Sequence, residues 1–518
     1  MWHRTLTSLS QRRVAWVLAM LGGVLLFLGF CGFDLYLLEW FCFVPVLWAL
    51  DDTTLSHKEA WFIAWLFGAV AHLGVYTWIV GLLRDFGYLP WPLAVLGYLL
   101  LCLAQSVLFA VAGYGAWLLK VKYSVPFRWG APVMLILAEW LVPALFPSYM
   151  ANSQYQQVLL IQSVDLVGPM GLSALLMLCS AVVYELLAWR FRSAALPTWG
   201  LITFVALFTA NLLYGLGAIT NTDDTVAHAD RRLKVGMVQV NMGIYEKDEN
   251  PIEGARRHRE QSQELEAQKV DLIVWPESGY NYGIRTSTTN VAREVMGPLT
   301  TPLLFGAIRV DRGPHGHELY NSAFLVDGDG NVQGTYDKTY LLAFGEYLPL
   351  GEWLPFLYQW SPHTSRFQAG QHTRPLKLNG ISYGMLICYE DILPGFVRKV
   401  MSAEPDVLVN LTNDAWFGKT REPKIHLALA IFRAVEHRRY LVRATNTGIS
   451  AFVDPVGRIL AQTPVFARAN LVQEITPMSG RTPYAVMGDW VAWLSLGLAV
   501  FWMRSLWLWR SAKPHKKK

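Results

Sequence analysis

Long apolar runs at both ends of the chain limit what it can fold into more than any other feature. They cover residues 14–31, 33–50, 60–82, 91–119, 130–147, 165–189, 198–219 and 486–509. The length of each run is close to the about 20 residues that a helix needs to cross a bilayer. Only 16% of the residues are charged, against about 25% in soluble chains. The runs therefore predict a polytopic α-helical membrane domain with eight spans.

The charges between the runs predict an orientation. Basic residues flank alternate breaks, namely Arg12 and Arg13, Lys120 and Lys122, Arg190 and Arg192, and Arg510 with the lysine tail. The positive-inside rule then places both termini in the cytoplasm and residues 231–477 outside it. A cleavable signal peptide is the alternative for the first run. Because a second apolar run follows at once and no A-x-A site intervenes, we favour an uncleaved span.

The chain divides by composition into a membrane part and a globular part. We expect seven spans in residues 1–220, a catalytic domain over 231–477, an eighth span over 486–510 and a basic cytoplasmic tail over 511–518. Strands are predicted at Leu233–Val240, Val270–Trp275, Leu303–Val310, Ser322–Val326, Ile381–Ile387, Val407–Leu411, Leu441–Thr445, Ser450–Val453 and Leu471–Ile475, and helices at 252–268 and 424–438. Many short strands with interspersed helices indicate an α/β or α+β sandwich.

One cysteine stands apart from the other four. Cys31, Cys42, Cys102 and Cys179 lie in or beside apolar runs, whereas Cys388 ends an apolar run in the globular part. A thiol needs activation to act as a nucleophile. Glu277, which follows a predicted strand, can take its proton, and Lys338, which follows a hairpin, can stabilise a thiolate or an oxyanion. A histidine brought near by the fold stays open as an alternative base.

Several binding classes lack support in the sequence. The histidines of the globular part show no spacing typical of a zinc site, and we expect no metal and no cofactor. The net charge of +5 has no clustered basic patch outside the membrane flanks, so we expect no nucleic-acid partner.

The order and context of Glu277, Lys338 and Cys388 resemble the Glu-Lys-Cys triad of the nitrilase superfamily. With the membrane frame, the chain resembles the apolipoprotein N-acyltransferase family over nearly its whole length. The motifs that carry the resemblance are Val238-Gln239 with Asn241, Trp275-Pro276-Glu277, Tyr336-Asp337-Lys338, Phe344-Gly345-Glu346-Tyr347, Cys388-Tyr389-Glu390, Leu411 to Gly418, and Arg443 to Asn446 with Gly448.

The resemblance implies a fold, a reaction and a location. The fold would be a nitrilase-like αββα sandwich beside the membrane helices, on the periplasmic side of a bacterial inner membrane. Cys388 would take an acyl chain from a phospholipid, typically phosphatidylethanolamine, and pass it as a thioester to the α-amine of a diacylated apolipoprotein. Glu277 would be the general base and Lys338 the oxyanion stabiliser, while Glu346, Tyr389 and Glu390 match further essential positions. We expect a monomer.

Three further features extend or qualify the resemblance. Where many family members carry a Trp after a Lys, this chain has Asp248, with Tyr245 the nearest aromatic residue. Glu139 lies within an apolar run, where an acid is costly, and predicts either a substrate contact or a hydrogen bond between helices. The aromatic stretch 341–360 predicts either a lipid-facing arm beside Lys338 or core packing.

Two other functions remain open from the sequence. A membrane-tethered amidase of the nitrilase superfamily would hydrolyse its thioester with water. A non-catalytic membrane binding module would have kept the fold alone, but the intact set of Glu277, Lys338 and Cys388 argues against it.

Overall fold

The computed structural model describes residues 2–85, 87–243, 246, 249–313, 316–343, 345–348, 351, 353–354, 356–360 and 364–511. The chain separates into two compact units. The first comprises Met1–Val80, Trp91–Gly217 and Met487–Lys518, and the second comprises Gly81–Pro90 and Ala218–Val486.

The first unit is helical, and the helices Ile79–Asp85 and Thr198–Ala227 continue from it into the second unit. The helices of the N-terminal part and the C-terminal end are Trp2–Gly29, Phe43–Leu50, His57–Val75, Ile79–Asp85, Trp91–Gln105, Val107–Tyr123, Phe127–Leu141, Val164–Arg192, Thr198–Ala227 and Trp490–Ser511. Within the described residues, four helical stretches are long and apolar enough to cross a membrane. The number rises to five if His57–Val75 and Ile79–Asp85, which meet at a bend of 56°, form one span.

The predicted spans differ in how far the helices support them. Four coincide with the four long apolar stretches, and 60–82 coincides with the bent pair. The runs 33–50 and 486–509 meet the shorter apolar helices Tyr36–Leu50 and Trp490–Arg504. The run 130–147 meets a helix of 15 residues that ends at Leu141. The helical unit therefore supports a membrane domain, and four to five of its spans by length and composition.

Polar contacts join the breaks between these helices in two groups. Asp51 accepts from Lys120, Tyr184 and Arg192. Arg12 pairs with Asp52 at 3.3 Å and with Glu59 at 2.9 Å. In a second group, Trp40 donates to Gln154 and Tyr155 donates to Asp34. Breaks that contact one another must lie on the same side of the helical unit.

The second unit contains two β-sheets. Its strands are β1 (Leu233–Gln239), β2 (Leu272–Val274), β3 (Tyr280–Arg285), β4 (Leu303–Gly313), β5 (Gly316–Val326), β6 (Val332–Asp337), β7 (Leu376–Leu378), β8 (Ile381–Ile387), β9 (Val407–Thr412), β10 (Leu441–Thr445), β11 (Ala451–Val453), β12 (Ile459–Gln462) and β13 (Ala469–Ile475). One sheet has the order β13-β1-β2-β4-β5-β6, with β3 also paired to β4, and the other has the order β12-β11-β10-β9-β8-β7.

All nine predicted strands are confirmed, and four strands were not predicted. The strands β3, β6, β7 and β12 are short or largely exposed, so they lack the continuous apolar pattern that marks a buried strand. The helices of this unit are Pro251–Glu266, Leu357–Trp360, Pro394–Met401, Glu422–His437 and Pro483–Met487. Two of them confirm the helices predicted at 252–268 and 424–438.

An apolar core and a polar link fix the strands near their ends. Trp275 is fully buried, and its indole N–H donates to the Ser262 hydroxyl at 2.8 Å. The Gln239 side chain, at the end of β1, accepts from Thr445 and Ser450 in the other sheet at 3.0 and 2.7 Å. Since a buried amide must be paired, these contacts hold the ends of β1 and β10 together.

Candidate active site

The structure brings together the three residues of the predicted triad. Glu277 follows β2, Lys338 directly follows β6, and Cys388 directly follows β8. The Lys338 Nζ lies 3.8 Å from Oε1 of Glu277, and both charges act on the Cys388 thiol. All three side chains are buried, with Lys338 only 1% exposed. A buried ammonium is stable only beside compensating charge, so this arrangement is electrostatically specified.

The turn that carries Glu277 depends on a glycine in the neighbouring strand. Gly306 in β4 passes so close that a Cβ there would lie 2.7 Å from Cα of Glu277 and from the amide N of Ser278. Ser278 has a φ of 49°, a conformation that costs energy in a residue other than glycine. A close strand crossing therefore sets the backbone that presents the Glu277 carboxylate.

A second carboxylate pairs with the lysine. Nζ of Lys338 lies 2.7 Å from Oε2 of Glu346, and the same oxygen accepts from the Leu342 amide at 2.8 Å. Burial alone lowers the pKa of Lys338, but the charges of Glu346, Cys388 and Glu277 outweigh it and raise that pKa above its usual value. Lys338 is therefore a permanent cation in the site.

Asn321 is a member of the site that the sequence did not reveal. It lies within β5, and its Nδ2 donates to Glu277 at 2.7 Å and to Glu346 at 2.8 Å. The main-chain carbonyl oxygen of Asn321 accepts from the main-chain N–H of Lys338 at 2.8 Å. The side chain of Asn321 thus bridges the two carboxylates, and its main chain fixes the strand end that carries the lysine.

The predicted nucleophile, Cys388, occupies a strained turn. Cys388 has a φ of 52° and begins the short helical turn Cys388–Ile392. Its carbonyl oxygen accepts from Nδ2 of Asn410 at 3.2 Å. Burial and the Glu277 charge raise the pKa of the Cys388 thiol well above its usual value, whereas Lys338 and Thr412 lower it. The resting group is therefore a neutral thiol that needs a base within the site.

Glu390 holds backbone around this turn. Its carboxylate accepts from the amides of Thr339, Tyr340 and Ile387 at 2.7 to 2.9 Å, and from the Tyr336 hydroxyl. Burial raises the pKa of Glu390 to about 7, although its hydrogen bonds with Tyr340 and Ile387 lower it. The neighbouring Tyr389 is 8% exposed, and its ring centroid lies 6.0 Å from that of Tyr340.

A closed ion cluster lies behind the cysteine turn. His426 contacts Asp391 at 2.8 Å through Nε2 and Asp414 at 3.2 Å through Nδ1. Arg443 pairs with the same two aspartates, and all four side chains are at most 4% exposed. The aspartates raise the pKa of His426 to about 10, against the lowering effects of burial and Arg443.

This cluster bears on whether the site could bind a metal ion and on whether a histidine could be the base for Cys388. Oxygen and nitrogen atoms of Asp414, Glu422 and His426 lie within 4.8 Å of one another, as metal ligands would. However, both imidazole nitrogens already face aspartates, and the protonated ring has no lone pair for a metal. For the same reason His426 has no free nitrogen with which to deprotonate Cys388.

Two acids and a histidine within the apolar runs have polar contacts. Glu139 accepts from the Met150 amide at 3.0 Å, His72 contacts the Ser106 hydroxyl at 3.2 Å, and Glu185 pairs with Arg128 at 2.6 Å. Glu139 and His72 also line a cavity of about 40 Å³ in the helical unit. Of the two roles expected for Glu139, the contact with Met150 favours a structural hydrogen bond over a substrate contact.

The aromatic stretch after Lys338 is partly exposed. Trp353 is 85% exposed, with Leu354 and Phe356 also exposed, whereas Leu348 and Tyr358 are buried. The stretch thus combines a packed side with an apolar surface. Phe344 and Leu350 of this stretch lie outside the described residues, as do Tyr245 and Asp248 at the predicted departure from the family and the tail beyond residue 511.

Two family models match separate parts of the chain. The carbon-nitrogen hydrolase model matches residues 234–484, and the model for the apolipoprotein N-acyltransferase N-terminal domain matches residues 22–182. Together they match parts of both compact units.

Relatives that match most of the chain carry the same family name as the N-terminal model. An apolipoprotein N-acyltransferase of Geobacter metallireducens is 30% identical over 92% of both chains. One of Bdellovibrio bacteriovorus is 32% identical over 86% of this chain and 85% of its own. One of Pseudomonas aeruginosa is 30% identical over 98% of this chain and 94% of its own.

Solved structures resemble part of the chain more distantly. A mutant of the amidase from Nesterenkonia sp. AN1 is 20% identical, with a TM-score of 0.33 over 46% of this chain and 92% of its own. A Saccharomyces cerevisiae member of branch 10 of the nitrilase superfamily is 16% identical, with a TM-score of 0.39 over 48% and 92%.

Proposed function

Because the chain belongs to the apolipoprotein N-acyltransferase family, we propose that it moves an acyl chain from a phospholipid to an apolipoprotein through a thioester on Cys388. The acceptor is the α-amine of the N-terminal diacylglyceryl-cysteine, so the reaction completes lipoprotein maturation. The observation that carries the proposal is the buried contact of Lys338 with Glu277 at the strand ends beside Cys388.

In the first step, the thiol proton moves to Glu277 and Sγ of Cys388 attacks the sn-1 ester carbonyl of the phospholipid. The Sγ–C bond forms, and the carbonyl oxygen carries a negative charge that the Lys338 ammonium stabilises. When the ester C–O bond breaks, the proton on Glu277 passes to the leaving oxygen. A lysophospholipid leaves and the acyl chain stays on sulfur.

In the second step, the neutral α-amine of the apolipoprotein attacks the thioester carbonyl. The new N–C bond forms, the S–C bond breaks, and its electron pair returns to sulfur. A proton from the amine passes through Glu277 to the thiolate, which restores the starting enzyme. The thioester keeps the acyl group activated between two substrates that bind in turn, and the chemistry requires no cofactor.

The neighbouring residues have positioning roles in this proposal. Glu346 holds Nζ of Lys338 at 2.7 Å, which supports a role in aiming the ammonium at the oxyanion. Glu390 joins the backbone at Thr339 to the backbone at Ile387, so it sets the distance between the lysine and the cysteine turns. Tyr389 directly follows the nucleophile, and we assign it to the wall of the acyl site.

We further propose that the membrane domain covers residues 1–220 with seven spans and that residues 486–510 form the eighth. The joined breaks support this order, since Arg12, Lys120 and Arg192 all contact the break at 51–59. That face would be cytoplasmic by its positive charge. The domain at 231–477 would be an αββα sandwich on the periplasmic side of the inner membrane. Phosphatidylethanolamine would be the donor, and the enzyme would act as a monomer.

One experiment tests the function. Purified full-length protein is incubated with acyl-labelled phosphatidylethanolamine, and a diacylated lipopeptide is added afterwards. We expect label on the protein that hydroxylamine releases, that moves to the lipopeptide amine, and that Cys388→Ala abolishes. Cys102→Ala, which changes a buried cysteine of the helical unit, is the matched control. Release of free fatty acid alone would identify an amidase instead, and absence of label would identify a binding module.

A further inference from the structure

Thr412 is placed beside the nucleophile by the pairing of two strands. β8 and β9 run parallel with Ile387 opposite Leu411, and these two residues are followed by Cys388, directly after β8, and by Thr412, the last residue of β9. Side chains two residues apart share a face of a strand. Asn410 already contacts the Cys388 carbonyl from that face. The Thr412 side chain is fully buried, which keeps water from competing for its hydroxyl.

The hydroxyl proton of Thr412 has a poor alternative acceptor. Its Oγ1 lies 3.5 Å from Oδ1 of Asp414, whereas O–H···O hydrogen bonds normally measure about 2.5–3.0 Å. The Asp414 carboxylate is also occupied, since it accepts from His426 and pairs with Arg443. Because His426 and Arg443 already occupy the Asp414 carboxylate, it is a weak acceptor for a hydrogen bond from the Thr412 hydroxyl.

The effect on the thiol agrees with this geometry. Burial and Glu277 raise the pKa of Cys388, whereas Thr412 lowers it. The charged groups that act on the sulfur are Glu277 and Lys338 from one sheet, and Asp414 and Arg443 from the other. Thr412 is a neutral donor among them, so its contribution does not depend on its own ionisation.

We infer that Thr412 is a further catalytic residue, whose hydroxyl donates a hydrogen bond to Sγ of Cys388 whenever that sulfur carries negative charge. The charge arises when Glu277 takes the thiol proton, and again when the S–C bond of the thioester breaks and its electron pair returns to sulfur. No bond to Thr412 forms or breaks. The part that concerns thioester breakdown rests on the proposed acyl transfer, whereas the effect on the free thiol does not.

The test compares Thr412→Val, which removes the hydroxyl but keeps the branched shape, with Thr412→Ser, which keeps the hydroxyl. Alkylation of Cys388 by iodoacetamide is followed against pH in the full-length protein, with Cys388→Ala as the background. We expect the apparent pKa of alkylation to rise by about one unit or more in T412V. Below that pKa, alkylation should slow about ten- to a hundredfold, and T412S should stay within about threefold of the parent.

A second measurement separates this role from simple packing. The preformed thioester is mixed with a diacylated lipopeptide, and its decay should slow about tenfold or more in T412V and little in T412S. The melting temperature of both variants is measured beside it. An unchanged alkylation profile in a folded T412V would overturn the inference, as would equal losses in T412V and T412S. Because alkylation needs no lipid, it remains informative if the acyl-transfer proposal fails.

Discussion

Replacing Glu390 with Gln tests how the turns that carry the lysine and the cysteine are held together. The carboxylate accepts main-chain N–H groups of Thr339 and Tyr340 on Oε1 and of Ile387 on Oε2. A Gln of the same shape has one oxygen and one NH₂ group. The orientation that keeps the two bonds on Oε1 turns the NH₂ group toward the Ile387 amide, directly before Cys388.

Two opposing contributions decide the effect on stability. An unpaired buried N–H at Ile387 costs about 1–3 kcal/mol, and the remaining bonds weaken when their acceptor loses its charge. Burial raises the pKa of Glu390 from its usual 4.5 to about 7, so keeping the ionised carboxylate buried costs free energy above pH 7. Gln avoids this cost. Near pH 8 the free energy of unfolding should therefore change by less than about 2 kcal/mol.

The effect on the rate is not offset in this way. The N–H group that E390Q leaves unpaired belongs to Ile387, directly before Cys388, so its loss disturbs the backbone that positions the thiol. We expect E390Q to form the Cys388 thioester at least about tenfold more slowly, which is about 1.4 kcal/mol in the barrier. Its melting temperature should move by less than about 5 °C. Single-turnover transfer of label from phosphatidylethanolamine at pH 8 gives the rate, and calorimetry in detergent gives the melting temperature.

The matched control is Tyr336→Phe, which removes one donor to the same carboxylate and leaves the Ile387 amide paired. It should slow thioester formation by less than about threefold. A wild-type rate in E390Q would show that the Ile387 contact does not position Cys388. A loss of rate that only follows the fraction of unfolded protein would refute the reasoning equally.

Other expectations follow from single contacts in the second unit. His426 has its pKa raised to about 10, so its contribution to stability is complete below about pH 6.5 and is lost as pH rises toward 10. The melting temperature should accordingly fall less between pH 7 and pH 10 in His426→Gln than in the parent. Gly306→Ala should slow thioester formation at least about tenfold, since its Cβ meets the backbone after β2, whereas Gly395→Ala, with open space around it, should not. Replacing both Trp353 and Phe356 with Ser should lower transfer from phospholipid vesicles without changing the melting temperature or the alkylation of the thiol, and unchanged transfer would exclude a lipid-facing arm.

The sequence pointed to Glu277, Lys338 and Cys388 because each one follows a strand with at most two residues between. A strand that ends in a polar residue can be read from local pattern alone, and Cys388 after Ile381–Ile387 is the clearest example. Strand ends in one domain tend to gather at a common edge, where reactive groups are placed. Their separation along the chain was therefore no obstacle to predicting that they meet.

Asn321 could not be predicted in the same way, because its role depends on a contact between a mid-strand amide and two loops. Arg443 and Asn410 did leave a signal. Each interrupts a strand whose remaining residues are largely apolar and all buried. A buried guanidinium requires paired carboxylates, so an ion cluster behind these strands could have been inferred. Its partners Asp391 and Asp414 could not, since nothing local identifies them.

The helices and the predicted spans do not match one to one, for a different physical reason. Hydropathy reports how apolar a window is, but a helix ends where its backbone bonds end. The run 60–82 is apolar throughout, yet the helix breaks after Val75 and resumes at Ile79 with a bend of 56°. The run 130–147 is similar, since its helix stops at Leu141. Apolar windows therefore predict membrane burial better than they predict continuous spans.

Charge conservation favours a base that shares the buried site with the thiol. Burial opposes the creation of charge, which is why the pKa of Cys388 is raised. A proton that moves from the thiol to Glu277 creates no net charge, because a carboxylate is neutralised as a thiolate appears. Lys338, held at 2.7 Å from Glu346, then faces the same total charge before and after the transfer. The burial that makes the free thiol inert therefore does not oppose its activation, provided that the proton stays within the site.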